Sequence, residues 1–63
     1  MASINMTREE TWVWDHDERG WRDRVRACVY GRARALANKT GQPVAVYTHD
    51  GVMVEQLHPE DDA

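Results

Sequence analysis

Apolar residues cluster in three stretches, around positions 12–14, 21–37 and 44–57, and each stretch has its own spacing. The last is the clearest. Pro43 opens it, Val44-Ala45-Val46-Tyr47-Thr48 is rich in β-formers, Asp50-Gly51 is a turn dipeptide, and Val52-Met53-Val54 leads back. This pattern predicts an antiparallel hairpin over 44–57. A two-residue type I′ loop, with Asp50 and Gly51 both at positive φ, would pair His49 with Val52, Tyr47 with Val54 and Ala45 with Gln56 on one face. The other face would pair Val44 with Leu57, Val46 with Glu55 and Thr48 with Met53. Both faces then carry apolar residues, whereas a ribbon wet on one side alternates more cleanly. Something other than a single helix is expected to cover such a ribbon.

Ahead of the hairpin, Ala33-Arg34-Ala35-Leu36-Ala37 consists of strong helix formers. Lys39-Thr40-Gly41 followed by Pro43 reads as a helix stop, with glycine just past the last turn. Trp21, Val25, Cys28, Val29 and Leu36 fall in an arc of about 100° at helical spacing, which favours one helix over about 20–39. Arg32 lies inside that arc, and Gly31 weakens a helix interior by ~1 kcal/mol relative to alanine. The competing reading makes 12–14 and 21–27 an N-terminal hairpin around Asp17-Glu18-Arg19-Gly20. Arg22, Arg24 and Arg26 would then share one strand face, while Asp23 interrupts the apolar face.

Thr11-Trp12-Val13-Trp14 has strand character, with Trp12 and Trp14 on one face. Thr7 and Glu10 have the spacing of a capping box, but the aromatic and β-branched run that follows argues against a continuing helix. The order strand, helix, strand, strand belongs to the α+β class. One main helix packs on a small antiparallel sheet that includes the 44–57 hairpin. The 63 residues hold one small domain, with frayed ends expected at 1–6 and 58–63.

Residues 32–41, an alanine-rich helix ending in glycine, are followed by Val44-Ala45-Val46-Tyr47 and Asp50-Gly51. In this respect residues 32–55 resemble small bacterial helix-Gly-hairpin domains of unknown function. The resemblance implies a helix laid against a hairpin. It assigns no active residue.

Charge is segregated along the chain. Residues 1–18 carry one base and five acids, 19–39 seven bases and one acid, and 40–63 five acids and no base. The net charge of −3 conceals a basic middle between acidic flanks. Seven of the eight bases are arginine, whose planar fork suits carboxylate and phosphate. Arg22, Arg24, Arg26 and Arg32, with Trp12, Trp14 and Tyr47, are therefore the candidate partner-binding residues, because Trp, Tyr and Arg dominate binding hot spots. A plainer reading pairs the arginines with the acidic ends of the chain itself and places all three tryptophans in the core. Nucleic acid is a further candidate partner, with arginines on phosphates and indoles on bases, although a pI near 5.4 is opposite to the usual basic footprint.

The core is thin, with no phenylalanine and only Leu36 and Leu57 as leucines. Below roughly 70–80 residues a single core rarely supplies more than about 3–5 kcal/mol. The lone Cys28 cannot form an internal disulfide, which together with the absence of a signal-like leader points to the cytoplasm. Self-association as a homodimer or a bound protein partner is expected on these grounds. No stretch approaches the ~20 apolar residues of a membrane span. Asp15-His16-Asp17 and His49-Asp50 contain ligand-type residues, but alternation along a strand would split them, and no metal or other cofactor is expected. Cys28, placed on the apolar helix face, reads as an inert hydrophobe. No catalytic constellation is visible. The expectation is a non-enzymatic binding or regulatory protein of the kind suited to a phage- or stress-encoded modulator of a host complex.

Overall fold

The long helix forms where its spacing places it, and the rest of the chain is arranged around its small residues. In a computed structural model that describes residues 2–60, the order is β1 (Ala2–Asn5), α1 (Arg8–His16), a tight turn at 18–20, α2 (Arg22–Thr40), β2 (Val44–Tyr47) and β3 (Met53–Leu57). The class is α+β, with two helices on a three-stranded mixed sheet of order β1-β2-β3. β1 runs parallel to β2, and β3 runs antiparallel to it. Among the described residues no helix is long and apolar enough to cross a membrane.

α2 ends at Gly41, whose φ of 72° is the left-handed conformation that glycine adopts without steric cost, and its N–H donates to the Ala37 carbonyl at 2.7 Å. The buried face of α2 is not the arc of large residues, however. Its centre is Val29, Ala33 and Ala37, each fully buried and four residues apart, with Val25, Tyr30 and Leu36 at the flanks. Alanines prominent in the sequence as helix formers are in fact the contact surface. They let the helix approach Val44 and Val46, both fully buried in the central strand. Met6 and Leu57 complete the core. Cys28, expected on the apolar face, is exposed.

Two sequence expectations near the N-terminus are overturned. Residues 2–6 of the expected frayed end 1–6 are ordered in the fold, residue 1 lying outside the described residues: Ala2–Asn5 pair in register with Val44–Tyr47, and the Met6 N–H donates to the Tyr47 carbonyl at 2.8 Å. The sheet is therefore mixed, since a strand that returns after two helices can lie parallel to its neighbour. Residues 11–14 are helix, not strand. The Thr7 hydroxyl accepts the Glu10 N–H at 3.1 Å while the Glu10 carboxylate accepts the Thr7 N–H at 2.9 Å, so the capping box forms in full. Packing of Trp14 against the core then outweighs the weak helix propensity of the run. At the C-terminal end, the Glu60 N–H donates to Asn38 Oδ1 at 2.7 Å, which ties 58–60 to α2; residues 61–63 lie outside the described residues.

The hairpin pairs Val44 with Leu57, Ala45 with Gln56 and Val46 with Glu55, as its pattern suggests. Its turn differs. The Thr48 N–H donates to the Val52 carbonyl at 2.8 Å, which closes a three-residue loop at 49–51. Gly51 has φ of 90°, and Asp50 is not in the positive-φ region. A three-residue loop shifts the register by one, so Tyr47 faces Met53. An irregularity between Val46 and Tyr47 then takes up the extra residue, Val54, and restores the original pairing below it. Val54 thereby packs against the core. Without that bulge, the one-residue slip would turn every side chain of β3 to the wrong face.

A tight alanine contact makes a contrasting pair of substitutions informative. Ala33→Leu should destabilise the fold by about 1–3 kcal/mol through overpacking. Gly31→Ala, where an added Cβ meets nothing within 4 Å, should stabilise it by about 0.5–1 kcal/mol. Urea unfolding followed by circular dichroism checks both signs.

Candidate interaction surface

α1 and α2 are joined by a connection in which Asp17 and Arg19 adopt φ of 50° and 61° and Gly20 adopts 70°. Asp17 has two roles there. Its backbone N–H caps α1 on the Val13 carbonyl at 2.7 Å, and its side-chain Oδ1 accepts the Arg22 N–H at 3.0 Å at the start of α2. The left-handed backbone at Arg19 is uncommon for a residue with a Cβ and carries a conformational cost. This turn brings Trp12 and Val13 on α1 beside Arg19 and Trp21, where they line a groove of about 240 Å³. Trp12 is 47% exposed and Trp21 45%.

The tryptophans do not share one face, as the strand expectation required. Two positions apart on a helix is about 200° of rotation, so Trp12 and Trp14 point in opposite directions. Trp14 turns inward against the core, with Tyr30 at a ring separation of 6.2 Å. The Arg22 and Arg26 guanidinium carbons lie 5.8 and 5.4 Å from its ring centroid, within cation–π range. Arg22 Nε also donates to the Trp14 carbonyl at 2.8 Å. Burial pushes the nearby Tyr30 hydroxyl upward, as does the Glu55 carboxylate, against a smaller opposing effect of Arg26.

The other candidate arginines divide. Arg32 Nη2 donates to both oxygens of Glu10 at 3.2 Å and pins α1 to α2. Arg26 lies 3.9 Å from Asp23, and Arg34 lies 3.5 Å from Glu60. Arg24 lies over Trp21 at 5.9 Å. Thus Arg22, Arg26 and Arg32 serve the fold, while Arg24 stands beside the exposed groove. Tyr47 is partly buried on β2, facing opposite to Val44 and Val46, and lines neither groove of the helical region. Val13 and Arg19 were not singled out as contacts by sequence reasoning, and Trp21 only as an indole that could stack on bases. The signal available was the capping box at Thr7 and Glu10, which makes 12–14 helical and sets Trp12 toward the chain reversal.

A second groove, of about 350 Å³, lies between α1 and the hairpin turn and is lined by Arg8, Thr11, Trp12, Asp15, His16, His49 and Asp50. Here the buried Thr11 hydroxyl accepts the His49 N–H at 2.7 Å, which holds the turn against α1. The fold does bring His16 and His49 to one groove. His16 Nδ1, however, donates to the Trp12 carbonyl at 2.9 Å while its ring stacks on the indole at 4.4 Å. Among the described residues there is no group of three or more His, Cys, Asp or Glu side chains placed to hold a metal ion.

Glu10 links the cap of α1 to α2. Burial of its carboxylate acts to raise its pKa, but the Thr7 hydrogen bonds and the Arg32 charge outweigh this and hold it below its ordinary value. A carboxylate depressed in the folded state stabilises the fold above the usual carboxylate range, and this contribution is lost as pH falls through its folded pKa. Denaturation midpoints measured from pH 7 to pH 3 should therefore fall steeply at the acid end, and Glu10→Gln should flatten that slope while lowering stability at pH 7. No protein-family model, curated protein or solved structure matches the chain.

Proposed function

We propose that this chain is a small non-enzymatic, regulatory binding protein that works in the cytoplasm through protein–protein contacts, a second copy of itself among its partners. The observation that carries this reading is the groove between Trp12 and Trp21, where two indoles remain about half exposed although the core beside them is closed. Exposed tryptophan with adjacent arginine is the composition of binding hot spots, in which a few large side chains carry most of the affinity. The groove lies on two helices joined by a short turn, so little ordering would be required when a partner docks. Arg24 and Arg19 supply charge at its margin. A nucleic-acid partner would need a longer run of free cations than two arginines.

Two measurements test this. Sedimentation velocity from 5 to 500 μM reads self-association. Capture from the native host with the full chain, against the Trp12→Ala/Trp21→Ala variant, reads partner binding. The expected result is a species retained by the parent and reduced about tenfold or more with the variant, or a dimer lost in the variant. Retention that is indifferent to both tryptophans contradicts the reading. Salt-sensitive retention of nucleic acid in place of protein would also contradict it.

A further inference from the structure

We infer that the Trp12–Trp21 groove accepts an acidic protein segment carrying one large apolar side chain, an inference that rests on the protein-binding reading above and names the chemistry of the partner. The apolar side chain enters between the indoles and Val13, and carboxylates on either side of it meet Arg19 and Arg24.

The charge inventory is the ground for this. Most arginines of the basic middle segment have a structural partner: Arg22 on the Trp14 carbonyl, Arg26 by Asp23, Arg32 on Glu10, and Arg34 by Glu60. Among the described side chains, Arg19 and Arg24 have no carboxylate partner; Arg19 is in the groove wall, and Arg24 lies over the ring of Trp21, which lines the groove. Among the described residues no carboxylate lines that groove. The neighbouring groove is different in kind, since its one free arginine, Arg8, shares the wall with Asp15 and Asp50. A ligand for the second groove would meet both signs of charge, whereas among the described residues the lining of the first is Trp12, Val13 and Trp21 with Arg19 as its one charged group.

The backbone supports the same assignment. Arg19 is held in the left-handed region, where glycine would be at ease. That cost persists where surrounding structure enforces it, and such residues cluster at ligand clamps. Here it places a guanidinium-bearing side chain in the wall that Trp12 and Trp21 also line. Arginine suits the task because it donates to carboxylate as a planar fork and stacks on aromatic faces, so Arg24 over Trp21 is already arranged for both. A polyanion such as single-stranded DNA needs a longer cationic track than two arginines supply.

The test uses a displayed library of random twelve-residue peptides selected on the immobilised full-length chain, with enriched peptides synthesised and titrated by tryptophan fluorescence. The expected peptides carry two or more carboxylates within a few positions of a Leu, Ile, Phe or Trp. They should bind Arg19→Glu/Arg24→Glu at least about tenfold more weakly, since like charges then face each other, with Arg19→Gln/Arg24→Gln intermediate and helix content by circular dichroism unchanged in both. Peptides that need Trp12 and Trp21 but are neutral or basic overturn the acidic preference and leave the protein-binding reading in place. Peptides indifferent to both tryptophans, or no enrichment at all, overturn both. Tighter binding of a twenty-nucleotide oligothymidine than of any acidic peptide overturns the inference in favour of nucleic acid.

Discussion

The close approach of α2 to the central strand is the constraint on which the other features depend. Ala33 and Ala37 present only methyl groups to Val44 and Val46, and all four are fully buried. Small residues on one side and β-branched residues on the other give a dense contact but a shallow one, with no space for an indole at its centre. The large aromatic residues are therefore displaced to the rim. Trp14 finds cover there from Tyr30 and two arginines, while Trp12 and Trp21 remain half open. The surface that supports a binding role is thus a geometric consequence of how the core closes.

α1 is held by a small set of specific interactions. Glu10 satisfies the first turn of its own helix and receives Arg32 from α2, Arg22 reaches back to the Trp14 carbonyl, and the Thr11 hydroxyl receives the hairpin turn through the His49 N–H. These interactions fix the angle at which Trp12 and Val13 face Trp21. Individually, exposed ion pairs contribute only about 0–1 kcal/mol. Their effect here is mainly on orientation, and it allows a nine-residue helix that would be marginal alone to form one wall of a groove.

Much of the α+β fold was legible in the sequence, and the parts that were not have identifiable causes. The long helix, its stop at Gly41 and the pairing of Val44, Ala45 and Val46 with Leu57, Gln56 and Glu55 all follow from local signals. β1 did not, because Ala2–Asn5 is short and its stability comes from parallel pairing with a strand some forty residues away. The 12–14 run was misread because local β-propensity was weighed above a capping box that tertiary packing then supports. The two-residue turn was misread because the Asp50-Gly51 signal fits both loop lengths, and only the bulge at Val54 reconciles a three-residue loop with the pairing below it. At the candidate surface, Trp12 and Arg24 were named from composition alone. Arg19, and the placing of Trp21 opposite Trp12, required the geometry of the chain reversal, which depends on backbone conformations that neither hydrophobic spacing nor charge reveals.

That the core closes without Trp12 and Trp21 is tested most directly by comparing Trp12→Ala/Trp21→Ala with Trp14→Ala in equilibrium urea unfolding, followed by circular dichroism. The double variant should remain folded with a single cooperative transition and lose less stability than Trp14→Ala, for which an aromatic truncation cost of up to about 3–5 kcal/mol applies. If the double variant loses as much as Trp14→Ala or more, the two exposed indoles are structural, and the groove between them is not a surface left free for a partner.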